Sequence, residues 1–258
     1  MEIPKIIHYC WFGPKPIPEL ELKCMESWKV FLPDYKIMFW NEKSFNIENA
    51  NEYVKGAYQK NMYAFVADYV RIYAMVKYGG VYLDTDIELL SSIDVFLQNK
   101  AFTGFENKTR VGAGIMGCNK GNEIFQKMLN HYDATEFIGS NKDVDITTIC
   151  TVMMNALEEE GFEYKNSNQS LKNIYIYERD IFCPKKMKDG SFRVTDKSVS
   201  IHHYSGSWLT AKQKKRGENI YWRKICRPIL RNFKSALPKL VGEKNTLKFE
   251  KKIRNWLR

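Results

Sequence analysis

The chain has 258 residues, 44% of them hydrophobic and 14% aromatic, enough to build one substantial core plus an appendage. Its formal net charge is +10, but the charge is unevenly placed. From Lys212 onward 16 Lys and Arg face three Glu, a net of +13; residues 1–211 therefore hold 24 basic and 27 acidic side chains, a net of −3, which argues against a globally basic nucleic-acid binder.

The six cysteines (Cys10, Cys24, Cys118, Cys150, Cys183 and Cys226) form no Cys-x-x-Cys and are scattered through expected core elements. That usage favours reduced thiols in a cytosolic protein over a disulfide framework or a zinc site. The first residues read directly as a strand, with no secretory signal expected. No stretch reaches the length of a membrane span.

In chain order, residues 3–10 alternate as a strand and Gly13 to Pro18 form a turn. Ile17, Leu20, Cys24, Trp28 and Phe31 recur at helical spacing and stop at Pro33. Residues 35–40 read as a second strand, and this β-α-β order predicts parallel pairing. Asn61 to Tyr78 is a helix with almost no polar face, hence buried nearly all round, and Gly79-Gly80 cap it and turn into the next strand. Strands are expected at 101–105, 112–118, 174–177 and 199–204, and helices at 123–132 and 146–160. The Gly-x-Gly-x-x-Gly match at Gly112, Gly114 and Gly117 lies inside a strand pattern, so it is not a dinucleotide loop. Its glycines allow close backbone approach or mark bends.

The stretch Tyr78-Gly79-Gly80-Val81-Tyr82-Leu83-Asp84-Thr85-Asp86 carries the most chemistry. Alternation along a strand sends Asp84 and Asp86 the same way at its carboxyl end. Two hard oxygen ligands side by side suit Mg²⁺ or Mn²⁺ that also holds phosphate oxygens. Asp68 and Arg71, three residues apart, share one face of the preceding helix. Arg71 can fork onto a phosphate or orient a carboxylate, and Asp68 can accept from hydroxyls. An imidazole from His202 or His203, or a hydroxyl such as that of Ser207, would complete the metal's sphere. Strand alternation leaves at most one of the two histidines for a given site. Trp11, at a strand end, is the indole to offer to a base, and Asn41 either touches the nucleotide or simply turns the chain.

Taken together these segments resemble the family-32 glycosyltransferases of bacterial polysaccharide synthesis, over roughly positions 3–209. The resemblance rests on Ile3–Gly13, Ser27-Trp28, Pro33-Asp34-Tyr35, Trp40-Asn41-Glu42, Tyr63–Arg71, the Asp-x-Asp stretch, Gly104-Phe105-Glu106, Ile201-His202-His203 and Ser207-Trp208. A more distant likeness is to the glucosyltransferase domain of the large clostridial toxins. The resemblance implies a GT-A fold, an α/β Rossmann-like sheet, mostly parallel and flanked by helices. It places Trp11 on a uracil, Asp68 and Arg71 on donor sugar and phosphates, Asp84 on ribose, sugar and the metal's water shell, and Asp86 on the metal. Ser207 and Trp208 match a segment that closes over the diphosphate. The chain departs from many relatives at Asp143–Thr148, which lacks a Gly-Pro-containing segment on the acceptor side.

Residues 1–211 are thus expected to form a GT-A catalytic domain and residues 212–258 a basic amphipathic helical tail. In the tail, Trp222, Ile225, Cys226, Ile229, Leu230, Phe233, Ala236 and Leu237 make one apolar stripe, and Phe249, Ile253, Trp256 and Leu257 a second. Trp beside Lys and Arg fits an anchor on an anionic membrane surface, with the protein cytoplasmic and peripheral on the inner face of the cytoplasmic membrane. The expected activity is metal-dependent, configuration-retaining transfer from a nucleotide-sugar donor, UDP-hexose or GDP-mannose. The expected acceptor is a lipid-linked oligosaccharide in surface polysaccharide synthesis. The alternatives are a toxin-like protein glucosyltransferase and a non-catalytic membrane or nucleic-acid binder led by the tail.

Overall fold

The computed structural model describes residues 2–140, 143–187 and 189–207, together with Lys215 and Asn219. All elements below belong to the unit Met1–Ser205. The expected tail stripes and Trp208 lie outside the described residues.

Strand β1 (Ile6–Cys10) is followed by helix α1 (Glu19–Phe31), and strand β2 (Lys36–Trp40) returns beside β1 in parallel, as the β-α-β order predicts. Helix α2 (Glu52–Gln59) was not legible: eight residues with Gly56 at the centre make a weak helical signal. Asn51 caps it by accepting from Val54 N–H. Helix α3 (Tyr63–Tyr78) begins two residues later than the expected start at Asn61, which takes φ +54, outside the helical region. At its far end Gly79 (φ +68) and Gly80 (φ +108) turn the chain into β3 (Gly80–Leu83). A Cβ on Gly80 would sit 2.6 Å from the Ile6 carbonyl oxygen, so no larger residue fits between β1 and β3.

Strands β4 (Ile87–Leu89), β5 (Ala101–Phe105) and β6 (Val111–Cys118) follow, then helices α4 (Glu123–Asp133) and α5 (Ile149–Glu158). After them come β7 (Gln169–Ser170), β8 (Tyr175–Tyr177), the short helix α6 (Arg179–Phe182) and β9 (Ser200–His202). Seven strands form one sheet in the order β2-β1-β3-β6-β5-β8-β7. Tracing the pairings, β2, β1, β3, β5 and β8 point one way and β6 and β7 the other. The expected α/β architecture, a mostly parallel sheet flanked by helices, is therefore present.

Alternation along the strands divides the interior in two. Cys10, Trp40, Tyr82, Phe105 and Met116 pack with α2, α3, α4 and α5. Ile7, Tyr9, Val81, Leu83, Phe102 and Ile115 pack with α1 and with Phe182 of α6. A separate ribbon pairs β4 with β9 antiparallel, Ile87 opposite His202. Helix α1 clamps that ribbon. Trp28 Nε1–H donates to the Ile87 carbonyl at 2.7 Å, and Leu89 N–H donates to Ser27 Oγ at 2.8 Å. The Ser27-Trp28 pair thus fixes the strand that leaves the Asp-x-Asp turn.

Candidate active site

Asp84 lies one residue beyond β3. Its N–H donates to the Gly114 carbonyl at 2.7 Å, and its own carbonyl accepts from Ile87 N–H at 2.9 Å, closing a tight turn. That turn, rather than alternation along a continuing strand, brings Asp84 and Asp86 together. One oxygen of Asp84 accepts from Tyr82 Oη–H at 3.1 Å and pairs with Arg71 Nη1 at 3.1 Å. The other Arg71 nitrogen, Nη2, pairs with Asp68 at 3.1 Å. Nη1 also donates to the Ala113 carbonyl at 3.0 Å, and the guanidinium lies 4.4 Å over the Tyr82 ring. Arg71 is therefore a buried clamp between two carboxylates, the orienting role of the two open to it.

Burial pushes the Asp68 carboxyl up to about 6 despite Arg71 beside it, and the nearby Asp84 charge pushes the same way. For Arg71, burial opposes the charge, but Asp84, Tyr82 and Asp68 hold the guanidinium fully protonated.

Asp86 is fixed from the other side. Its carboxylate meets His202 Nε2 at 3.3 Å and accepts Ser205 N–H at 2.9 Å, while its carbonyl accepts His203 N–H at 3.1 Å. Burial works against the Asp86 charge, yet His202 and Ser205 hold its carboxyl below the ordinary range. Burial likewise opposes protonation of His202, but Asp86 and the Cys183 thiol hold its pKa well above the usual imidazole value.

Asp84, Asp86 and His202 each offer a ligand atom, all within 4.8 Å of one another. A set of two carboxylates and one imidazole suits Mn²⁺ at least as well as Mg²⁺. The floor beneath is Gly114, where a Cβ would come 3.1 Å from Asp84 Oδ2 and 3.2 Å from His202 Cε1. These residues fit a divalent cation. His203 does not join them: alternation turns it to Glu88, 2.7 Å away, with Phe192 against its ring.

Trp11 follows β1 with its N–H on the Trp40 carbonyl and its indole N–H on Lys15 O at 2.7 Å, leaving the ring half-buried. Asn41 is a turn residue, its side-chain oxygen accepting from Lys43 and Ser44 N–H at 2.9 and 3.2 Å. Ser207 is described as a turn residue of the segment beyond Ser205, and Trp208 is not described. A cleft of about 460 Å³ between β2 and α3, lined by Phe39, Trp40, Phe45, Asn49, Tyr73 and Lys77, holds none of the candidate residues.

Sequence reasoning missed Tyr82, although it stands inside the Asp-x-Asp stretch and points to the same face as Asp84 and Arg71. It also missed Glu21 and Ser205. Glu21 is almost fully buried on α1, 1% exposed, and accepts Ser205 Oγ–H at 2.8 Å. Its signal was faint, since it is one of three glutamates on α1 beside an apolar stripe.

The Asp-x-Asp turn thus stands at the end of a mostly parallel sheet, backed by a buried arginine clamp. Residues 18–103 match the model of a glycosyltransferase sugar-binding region containing a DXD motif. Among curated proteins it is similar to inositol phosphoceramide mannosyltransferase 3 of Schizosaccharomyces pombe, 30% identical over 132 residues, 50% of this chain and 37% of the relative. It is also similar to the mannosyl phosphorylinositol ceramide synthase SUR1 of Saccharomyces cerevisiae, 31% identical over 147 residues, 53% and 37% of the two chains. The chain thus spans less than two fifths of the length of either relative. Among solved structures it is similar to the PaToxG glycosyltransferase, with a TM-score of 0.47, 18% identity, and coverage of 62% of this chain and 70% of that one.

Proposed function

We propose that the protein transfers a hexose from a nucleotide-sugar donor to a hydroxyl of a lipid-borne acceptor, with a divalent cation held by Asp84, Asp86 and His202. The observation that carries this reading is the convergence of those three ligands beside the Arg71 clamp. A cation bound by these three residues would neutralise charge on the leaving diphosphate. Arg71 fixes Asp68 and Asp84 so that their free oxygens accept donor hydroxyls, and Trp11 offers its half-buried ring to the base. No dedicated general base is assigned, because in front-face transfer with retention the leaving phosphate takes the acceptor's proton.

The names of the curated relatives favour a mannosyl donor and a phosphoinositol-type lipid head group over a surface-polysaccharide precursor. The basic tail supports delivery at an anionic, inner-leaflet surface. Among the described residues no helix is long and apolar enough to cross a membrane. The test is a panel of GDP-mannose, UDP-glucose and UDP-galactose, each with Mn²⁺ or EDTA, scored for donor hydrolysis and for transfer to phosphoinositol-lipid vesicles. Metal-dependent turnover of one donor, lost in Asp86→Ala, supports the reading; turnover unaffected by EDTA refutes the metal assignment.

A further inference from the structure

The burial of Glu21 needs a cause. It occupies the third helical position of α1, where a glutamate usually folds back onto the N-cap N–H in a capping box. Here the N-cap is Pro18, which has no N–H to give. Glu21 instead turns inward and accepts Ser205 Oγ–H at 2.8 Å.

Ser205 is in turn the residue whose N–H holds an oxygen of Asp86 at 2.9 Å. The chain reaches that position through a strained residue: Tyr204 has φ +53, unusual for an aromatic side chain, with its ring 3.9 Å from that of His202. The reversal at Tyr204 lets both His203 N–H and Ser205 N–H face Asp86, one on its carbonyl and one on its carboxylate. Glu21, Ser205 and Asp86 form a continuous chain of hydrogen bonds from α1 to the candidate metal site.

We infer that Glu21 is a positioning residue for the cation: through Ser205 it fixes the side-chain orientation of Asp86 and so sets metal affinity. This rests on the metal site proposed above. Groups that orient a ligand in this way typically change metal affinity by about 10–100-fold when removed.

The experiment is calorimetric titration of full-length, metal-free protein with MnCl₂, alongside thermal unfolding, for wild type, E21L, E21Q, S205A and the double variant E21L/S205A. E21L and S205A are expected to weaken Mn²⁺ binding by about 10–100-fold. The double variant should be no weaker than the weaker single one, since both cut the same link. E21Q should stay within about threefold of wild type, because its side-chain carbonyl accepts the same bond. Unchanged Mn²⁺ affinity in S205A, with or without a lower melting temperature, overturns the inference and leaves the metal site standing; this variant decides the question if E21L does not fold. E21Q as weak as E21L also overturns it, since charge and not the hydrogen bond would then matter. Wild type that binds no Mn²⁺ removes the metal site and the inference together.

Discussion

At the scale of single residues, the site is a set of charges that burial would expel unless each is held by a partner. Asp84→Ala or Asp86→Ala should leave the fold intact and abolish Mn²⁺ binding and transfer, a loss of several kcal/mol of transition-state stabilisation. Calorimetry with circular dichroism on the same samples checks both halves. Asp68 makes a different prediction. Its pKa rises from 3.8 to about 6 on folding, so above pH 6 both states are ionised and the folded state carries the burial penalty. Below 3.8 both are protonated and the penalty vanishes, so this group stabilises the fold as pH falls through that window. A shift of this size corresponds to about 3 kcal/mol. The stability gap between Asp68→Asn and the metal-free wild type should therefore change by up to about that amount between pH 7 and pH 4, measured by urea unfolding. A gap independent of pH would mean that Asp68 is not desolvated as described. Trp11→Ala should weaken nucleoside-diphosphate binding by about 1–3 kcal/mol, the scale of base–aromatic stacking. Unchanged affinity in a folded variant would assign the indole to the Lys15 turn alone.

At the scale of elements, His8 shows how the strands are tied together beneath the site. It is fully buried on β1; its Nε2–H donates to the Gly79 carbonyl at 2.8 Å, and its Nδ1 accepts Trp40 Nε1–H at 3.1 Å. One neutral imidazole therefore joins β1, β2 and the α3 cap, and burial lowers its pKa from 6.5 against the pull of Gly79. Because the unfolded chain takes the proton first, this group's contribution is full above pH 6.5 and declines below it. His8→Leu should cost about 2–5 kcal/mol in urea unfolding at pH 7 by orphaning two buried polar groups, and should remove that part of the acid dependence. A cost below 1 kcal/mol would show that water reaches both partners. How much of this was legible in the sequence follows from element length and pattern. Helix α3 and its glycine stop were plain because 16 residues of nearly unbroken apolar character have few other solutions. The β4–β9 ribbon was harder: three-residue strands carry too little alternation to show where they pair. The Asp-x-Asp pair was read correctly as convergent but for the wrong reason, since a turn closed by Ile87 N–H does the work assigned to a strand. Glu21 escaped notice because its partner Ser205 is 184 residues away, a distance that no local pattern spans.

At the scale of the whole molecule, the formal charge is divided between two parts of the sequence. The strands and helices named above and the Asp84, Asp86 and His202 set lie in residues 1–205, while the 47 residues from 212 to 258 carry the net +13. A body of net −3 would be repelled weakly by an anionic leaflet, so any attraction must come from the tail. Each Lys or Arg near such a surface contributes about 1 kcal/mol, screened by salt over about 10 Å at 0.1 M, and Trp222 and Trp256 on apolar stripes add a part that salt does not screen. Deleting residues 213–258 should therefore abolish co-sedimentation with anionic vesicles and depress transfer to a lipid-borne acceptor. Hydrolysis of the soluble donor should survive, because Asp84, Asp86, His202 and the Glu21–Ser205 link all remain. Raising salt on the full-length protein should weaken vesicle binding without eliminating it. Truncated protein that still sediments with anionic vesicles would place the membrane contact on the catalytic unit. Full-length protein that ignores such vesicles at low salt would instead leave the two stripes to pack against protein.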